Sequence, residues 1–200
     1  MAIKPILFNA EMVRAILDGR KSCTRRVIKH NVDAILNSPY HMEHPEVEAA
    51  WLIKKLCRPP YEPGDILYVR ETFIQVAAHT FWYKADDNSW ISEGLHWKPS
   101  IHMPKEAARI WMKATDVHVE RLQDITEDGA KEEGANWKNG KNVGWEEKMK
   151  RTATERFAEI WNSTIKKSDL DRYGWATNPW VWVIEFERCD KPEEAEHERK

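Results

Sequence analysis

Residues 8–26 read Phe8-Asn9-Ala10-Glu11-Met12-Val13-Arg14-Ala15-Ile16-Leu17-Asp18-Gly19-Arg20-Lys21-Ser22-Cys23-Thr24-Arg25-Arg26, and they predict a short helix that hands over to a strand. Asn9 is a helix N-cap residue, Glu11 suits the positive end of the dipole, and Met12, Val13, Ile16 and Leu17 recur at helical spacing. Gly19 stands where a left-handed residue closes a helix. The helix is expected over residues 10–18, and Arg20 to Arg26 leave it as a basic turn entering a strand.

Outward from that stretch the two periods alternate. A second helix is expected over 45–57, opened by Pro45, lined by Val47, Trp51, Leu52 and Leu56, and closed by Pro59 and Pro60. From Gly64 the period falls to two: Ile66, Tyr68 and Arg70 alternate with Leu67, Val69 and Glu71. Phe73 to Val76 and Phe81 to Lys84 read as strands, with Asp86, Asp87 and Asn88 as a turn before Trp90 and Ile91. Gly94, Pro99 and Pro104 make 92–107 a long loop. Ile110 to Arg121 is strand-like, Ala130 to Gly134 a short helix capped by Thr126, and 135–145 a glycine- and asparagine-rich loop. Phe157, Ile160, Trp161 and Ile165 form the stripe of a helix over 153–166, and Trp180 to Phe186 is a closing strand whose tryptophans are expected in the core. Helices set between strands with connections of antiparallel length predict a small α+β barrel with flanking helices. A single domain is expected over 1–189, and an acidic, disordered tail over 190–200.

With 200 residues, 42% apolar and 32% charged, the composition is that of a soluble globular chain. Such a chain buries roughly 70% of the surface that its unfolded form exposes. No apolar run approaches the ~20 residues of a membrane span, and the first twenty residues carry no secretory signal pattern. Cys23, Cys57 and Cys189 are odd in number and widely spaced, which speaks against a disulfide framework and for a reducing cytoplasm. The net charge of −2 hides an asymmetry. Residues 1–30 hold Lys4, Arg14, Arg20, Lys21, Arg25, Arg26 and Lys29 against only Glu11 and Asp18, a local balance of +5. One basic stretch in a near-neutral chain points to a local anionic ligand.

Several motifs carry nothing. His41 and His44 lack a companion cluster, so a loop pair explains them and no metal site is expected. The Asn162-Ser163-Thr164 sequon falls inside an expected helix. No glycine-rich nucleotide loop and no nucleophile elbow occurs, and no cofactor is implied. What remains is Gly19-Arg20-Lys21-Ser22-Cys23-Thr24-Arg25-Arg26. Read plainly, it is a solvated basic turn. Read as chemistry, the neighbouring arginines favour the neutral amine of Lys21, and a neutral lysine three residues from a threonine hydroxyl is a usable base and nucleophile. On the strand Thr24 and Arg26 share one face, and Arg25 and Val27 the other, so one arginine can line a pocket while the other reaches solvent.

The same stretch resembles the opening of the ASCH (activating signal cointegrator homology) family. Pro63-Gly64-Asp65-Ile66-Leu67-Tyr68-Val69-Arg70-Glu71, Leu122-Gln123-Asp124-Ile125-Thr126-Glu127 and Val183-Ile184-Glu185-Phe186 fit it as well. The chain looks most like the longer phage- and prophage-associated members. The resemblance implies a PUA-like mixed β-barrel, a fold used for RNA recognition and nucleobase chemistry. Small bacterial members are similar to amidohydrolases that remove the acetyl group of N4-acetylcytidine with a lysine, a threonine and a glutamate, without metal. Lys21 and Thr24 match the first two. Counting along Ile125-Thr126-Glu127 places the glutamate at Glu133, with Glu132 one residue away. This chain is about twice as long as those enzymes, and the surplus falls at 29–60, 76–107 and 135–175, where it would cover or reshape the barrel mouth.

The resemblance implies that Thr24 attacks the acyl carbon, Lys21 accepts its proton and Glu133 protonates the departing exocyclic amine. A carboxylic acid suited to that task needs a raised pKa, which burial supplies. Ser22 and Cys23 compete with Thr24 as reactive groups, although Cys23 also suits a buried filler. Arg26, with Arg25, would hold a carbonyl or phosphate oxygen. Glu71 either orients Lys21 or Arg26 or is a structural carboxylate at a strand end. Trp97 and His102, on Trp97-Lys98-Pro99-Ser100-Ile101-His102-Met103-Pro104, either stack a base or belong to a proline-anchored crossover. The partner expected is a modified nucleoside or short single-stranded RNA, with no membrane and no metal. The alternatives are a PUA-like RNA- or base-binding module without turnover, a nuclease, and a phage interaction protein.

Overall fold

The computed structural model describes residues 1–86, 96–135 and 151–193. The expected turn at Asp87 and Asn88 with Trp90 and Ile91, most of the 135–145 loop, and the tail from 194 lie outside the described residues. The chain forms two compact units interleaved in sequence: Met1–Lys21, Tyr61–Thr115 and Phe186–Lys200 make the first, Ser22–Pro60 and Asp116–Glu185 the second.

In the first unit β1 (Ile3–Leu7) runs parallel to β3 (Ile66–Arg70), with Ile3 beside Ile66 and Leu7 beside Arg70. The start of β6 (Trp111–Arg121) lies antiparallel to β3, with Tyr68 beside Trp111. Helix α1 (Ala10–Leu17) follows β1. The Asn9 side chain accepts from the Met12 amide at 2.9 Å, and Gly19 closes the helix at φ +70°. Val13 and Ile16 are buried as expected, whereas Leu17 is exposed and Ala15 takes its place inward. The Pro63-Gly64-Asp65 element is a carboxylate-centred turn. Gly64 takes φ +91°, and the Asp65 carboxylate accepts from the Ala2 and Glu62 amides and from Lys4 Nζ at 2.7 Å. Burial alone would raise the Asp65 pKa; Lys4 and the two amides outweigh it and hold the group below its ordinary value.

The expected strands at 73–84 form a hairpin of their own, β4 (Phe73–Ala77) with β5 (Thr80–Tyr83). Residues 96–107 are not a plain loop. Their two 3-10 turns, Ser100–His102 and Lys105–Ala107, each follow a proline, and Met103 and Ala107 pack on Phe73. Phe73 and Lys98 exchange backbone hydrogen bonds at 3.2 and 2.8 Å, which anchors the segment.

In the second unit β2 (Cys23–Val27) runs antiparallel to β7 (Trp180–Cys189), with Cys23 beside Glu185, Thr24 beside Ile184 and Arg26 beside Trp182. Three helices follow β2: α2 (Val32–Leu36), α3 (Pro39–Glu43) and α4 (Ala49–Cys57). The helix expected over 45–57 thus begins at Ala49, and it buries Leu52, Ile53 and Cys57 while Trp51 and Leu56 face solvent. Helix α5 (Glu127–Glu132) carries its expected cap but starts right after Thr126 and ends before Gly134, and α6 (Ala153–Thr164) fills the expected 153–166 segment with a cap that the sequence analysis did not name. Thr126 caps α5, and Thr152 with Glu155 forms a capping box on α6. Glu127 also accepts from the Ala153 and Thr154 amides, so one carboxylate ties the two helices. A last turn, α7 (Leu170–Tyr173), precedes β7. Leu122, Ile125, Ala130, Phe157, Trp161, Val181 and Val183 form the core of this unit with Cys23. Trp182 is buried, while Trp180 is half-buried beneath the Arg121 guanidinium at 4.4 Å.

The five long strands form one mixed sheet in the order β1-β3-β6-β7-β2. The order does not return to its first strand, so the fold is α+β with an open sheet rather than the expected closed barrel. The physical reason lies in 73–84. Those two strands pair with each other, and Phe73 with Lys98, instead of extending the five-stranded ladder.

Candidate functional site

The site begins with the pleat of β2. Successive residues face opposite ways, so Thr24 and Arg26 share one side and Cys23 and Arg25 the other, as the sequence implies. Thr24 is buried at 1% exposure and Arg25 at 6%, while Arg26 is half-buried. Lys21, which ends the first unit, is buried at 3%, with its Nζ 5.6 Å from the centre of the Phe8 ring.

Glu133 caps the carboxyl end of α5 and is buried at 8%, whereas Glu132 is exposed. Beside it, the Ser22 amide donates to the Glu132 carbonyl at 2.9 Å, which fixes the end of α5 against the entrance to β2. The Glu133 carboxylate accepts from Arg25 Nη1 at 3.3 Å, and Glu120 accepts from Arg25 Nε at 2.6 Å. The guanidinium therefore spans two carboxylates, with Cys23 Sγ at 3.7 Å and the Phe157 ring centre at 5.8 Å. Burial works against the Arg25 charge. Glu133, Cys23 and Glu120 outweigh it and hold the pKa above its ordinary value, so Arg25 stays cationic. Its side chain thus joins Glu120 to Glu133 in the interior of the second unit.

Glu71 has a definite partner within the first unit. Its carboxylate takes a bidentate grip from Arg109, Nε to Oε1 at 2.8 Å and Nη2 to Oε2 at 3.0 Å. Arg109 also reaches Asp86 at 2.7 Å and lies 4.0 Å from the centre of the Tyr83 ring. Burial pushes the Glu71 carboxyl above its ordinary value, with Arg109 pulling the other way. This is the arrangement of a structural strand-end carboxylate. Trp97 is half-buried and His102 exposed on the anchored segment after Phe73.

Among the described residues six polar or charged ones are buried: Lys21, Thr24, Arg25, Glu71 and Glu133, all candidates named from the sequence, and Asp65. Glu120 and Arg109, the partners of Arg25 and Glu71, lie outside the motifs that mark the other residues. Glu120 had a visible signal: Asp116-Val117-His118-Val119-Glu120 places three polar side chains on one face of a strand. Arg109 had none.

No protein-family model matches the chain, and no curated protein does. Among solved structures, protein EF3133 from Enterococcus faecalis V583, assigned to the family model DUF984, is similar at a TM-score of 0.44 and 13% identity, over 98% of this chain and 81% of that one. A likeness at that level leaves family and function to be argued from the residues. Among the described residues, no helix is long and apolar enough to cross a membrane.

Proposed function

We propose that the chain is an amidohydrolase that removes the acyl group from N4-acetylcytidine or a related modified nucleobase. The supporting observation is that Lys21, Thr24 and Glu133, the three residues that the resemblance singles out, are all buried. In this reading the Thr24 hydroxyl adds to the acyl carbon and its proton passes to the Lys21 amine. The carbon–nitrogen bond then breaks as that proton passes on from Lys21, by way of the Glu133 carboxylate, to the exocyclic nitrogen. Water hydrolyses the acyl-threonine, which releases the carboxylate and restores the hydroxyl. Arg26 holds the carbonyl or a phosphate oxygen, and Arg25 with Glu120 fixes the Glu133 carboxylate.

The test is time-dependent release of cytidine and acetate from N4-acetylcytidine by the wild-type chain and by Lys21→Ala. Release by the wild type, lost in the variant, is expected. Binding of the nucleoside without release would instead favour a PUA-like recognition module without turnover.

A further inference from the structure

Outside the residues given a part in deacylation, β6 and β7 bring together a set of metal-ligand types that the sequence keeps far apart. Asp116 and His118 lie on one face of β6, and Glu185 lies on β7, its neighbour in the sheet. One ligand atom from each lies within 4.8 Å of the other two. We propose that Asp116, His118 and Glu185 bind a divalent first-row transition cation.

The geometry needs little adjustment. Donor atoms around a cation with bonds of ~2.1 Å sit roughly 3–4 Å from one another. Asp116 and His118 are about half exposed, so small side-chain rotations close the gap. His118 Nδ1 already lies 2.5 Å from Asp116 Oδ2. The other ring nitrogen, Nε2, is 4.0 Å from Glu120 Oε2. Glu120 is beyond hydrogen-bond reach at that distance, and a small side-chain rotation would make it the outer carboxylate of a ligating imidazole. Glu120 in turn holds Arg25 at 2.6 Å, so the site adjoins the Arg25–Glu133 network. Charge is mixed around the cluster: the carboxylates of Asp116, Glu120 and Glu185 favour a cation, while Arg25 on Glu120 and Lys54, whose Nζ donates to the Val117 carbonyl at 3.1 Å, oppose it.

One imidazole nitrogen with two carboxylate oxygens suits zinc or manganese. It is a poor match for magnesium or calcium, which take oxygen ligands. The remaining coordination positions would hold water, as three protein ligands do in open sites.

Zn2+ competition against a chromophoric chelator tests this on the full chain, with Mg2+ as the comparison ion. Wild type should bind one Zn2+ per chain at this site. His118→Ala and Glu185→Gln should weaken that binding more than ~100-fold, and Glu120→Gln by roughly 10-fold through the outer contact. Zn2+ should raise the melting temperature of wild type but not of His118→Ala, and equal melting of the two without metal shows that the variant is folded. Equal zinc affinity in wild type and His118→Ala would overturn the proposal. So would a wild-type chain that prefers Mg2+, or one that binds no stoichiometric Zn2+. All these readouts are independent of cytidine release.

Discussion

Arg25 lies where an unpaired charge is most costly, its side chain sealed between Glu120, Glu133 and the Phe157 ring. Arg25→Ala would remove the guanidinium that joins two buried or half-buried carboxylates, and the expected loss in unfolding free energy is about 3–5 kcal/mol, read by urea denaturation. A loss below 1 kcal/mol would show that solvent reaches the pair. Asp65 gives the acid limb of stability. Its pKa is depressed in the folded chain, so its contribution is complete above the ordinary carboxylate range and drains away as pH falls below about 4. Melting temperature measured from pH 5 to pH 2 should therefore fall more steeply for wild type than for Asp65→Asn. Much of this scale is visible in the sequence, because Lys21, Thr24 and Glu133 belong to local motifs. Their partners are not. Arg25 and Glu120 are 95 positions apart, and Arg109 and Glu71 are 38 apart, so strand register and folding decide the pairing, not spacing.

Elements whose signals are local came through with their caps. Asn9 before α1, Thr126 before α5 and Thr152 before α6 each accept the backbone amide that capping requires. Thr152→Ala should cost roughly 1 kcal/mol, because it removes half of the capping box. Gly174 follows α7 at an ordinary φ of −67°, and a Cβ there would meet the Leu170 carbonyl oxygen at 2.4 Å. Gly174→Ala is thus expected to destabilise the second unit by about 1–3 kcal/mol, with loss of tryptophan fluorescence as the probe. Neutral stability would mean that the α7 turn relaxes without cost. Helix α4 shows what the apolar pattern alone cannot fix. Val47, Trp51, Leu52 and Leu56 suggest one stripe, but the helix starts at Ala49 and turns Ile53 and Cys57 inward in place of Trp51 and Leu56. An indole tolerates half exposure, and Lys55 lies over its ring at 4.8 Å.

At the scale of the whole chain, the α+β class was legible and the closure of the sheet was not. Closure depends on which strands pair, and the 73–84 strands chose each other. Charge at this scale sets an expectation for nucleic acid. A chain of net −2 with one dense run of cations at residues 14–29 is suited to cradle a nucleotide or a short single strand rather than to line a long groove. Binding of a 20-nucleotide RNA should be weak, and Arg26→Ala should reduce it more than any distant lysine change. Tight RNA binding that survives Arg26→Ala at two salt concentrations would point to an extended surface instead. The central claim is that a buried glutamate, with Lys21 and Thr24, carries the acyl transfer. Glu133 and Glu132 are chain neighbours, one buried and one exposed, and each can be changed to glutamine without altering size. The most direct measurement is the initial rate of cytidine release from N4-acetylcytidine by wild type, Glu133→Gln and Glu132→Gln side by side. Glu132→Gln should keep the wild-type rate, and Glu133→Gln should lose about 10²–10⁴-fold, the range of a positioned general acid. Equal rates in the two variants, or no release by the wild-type chain, would contradict the account.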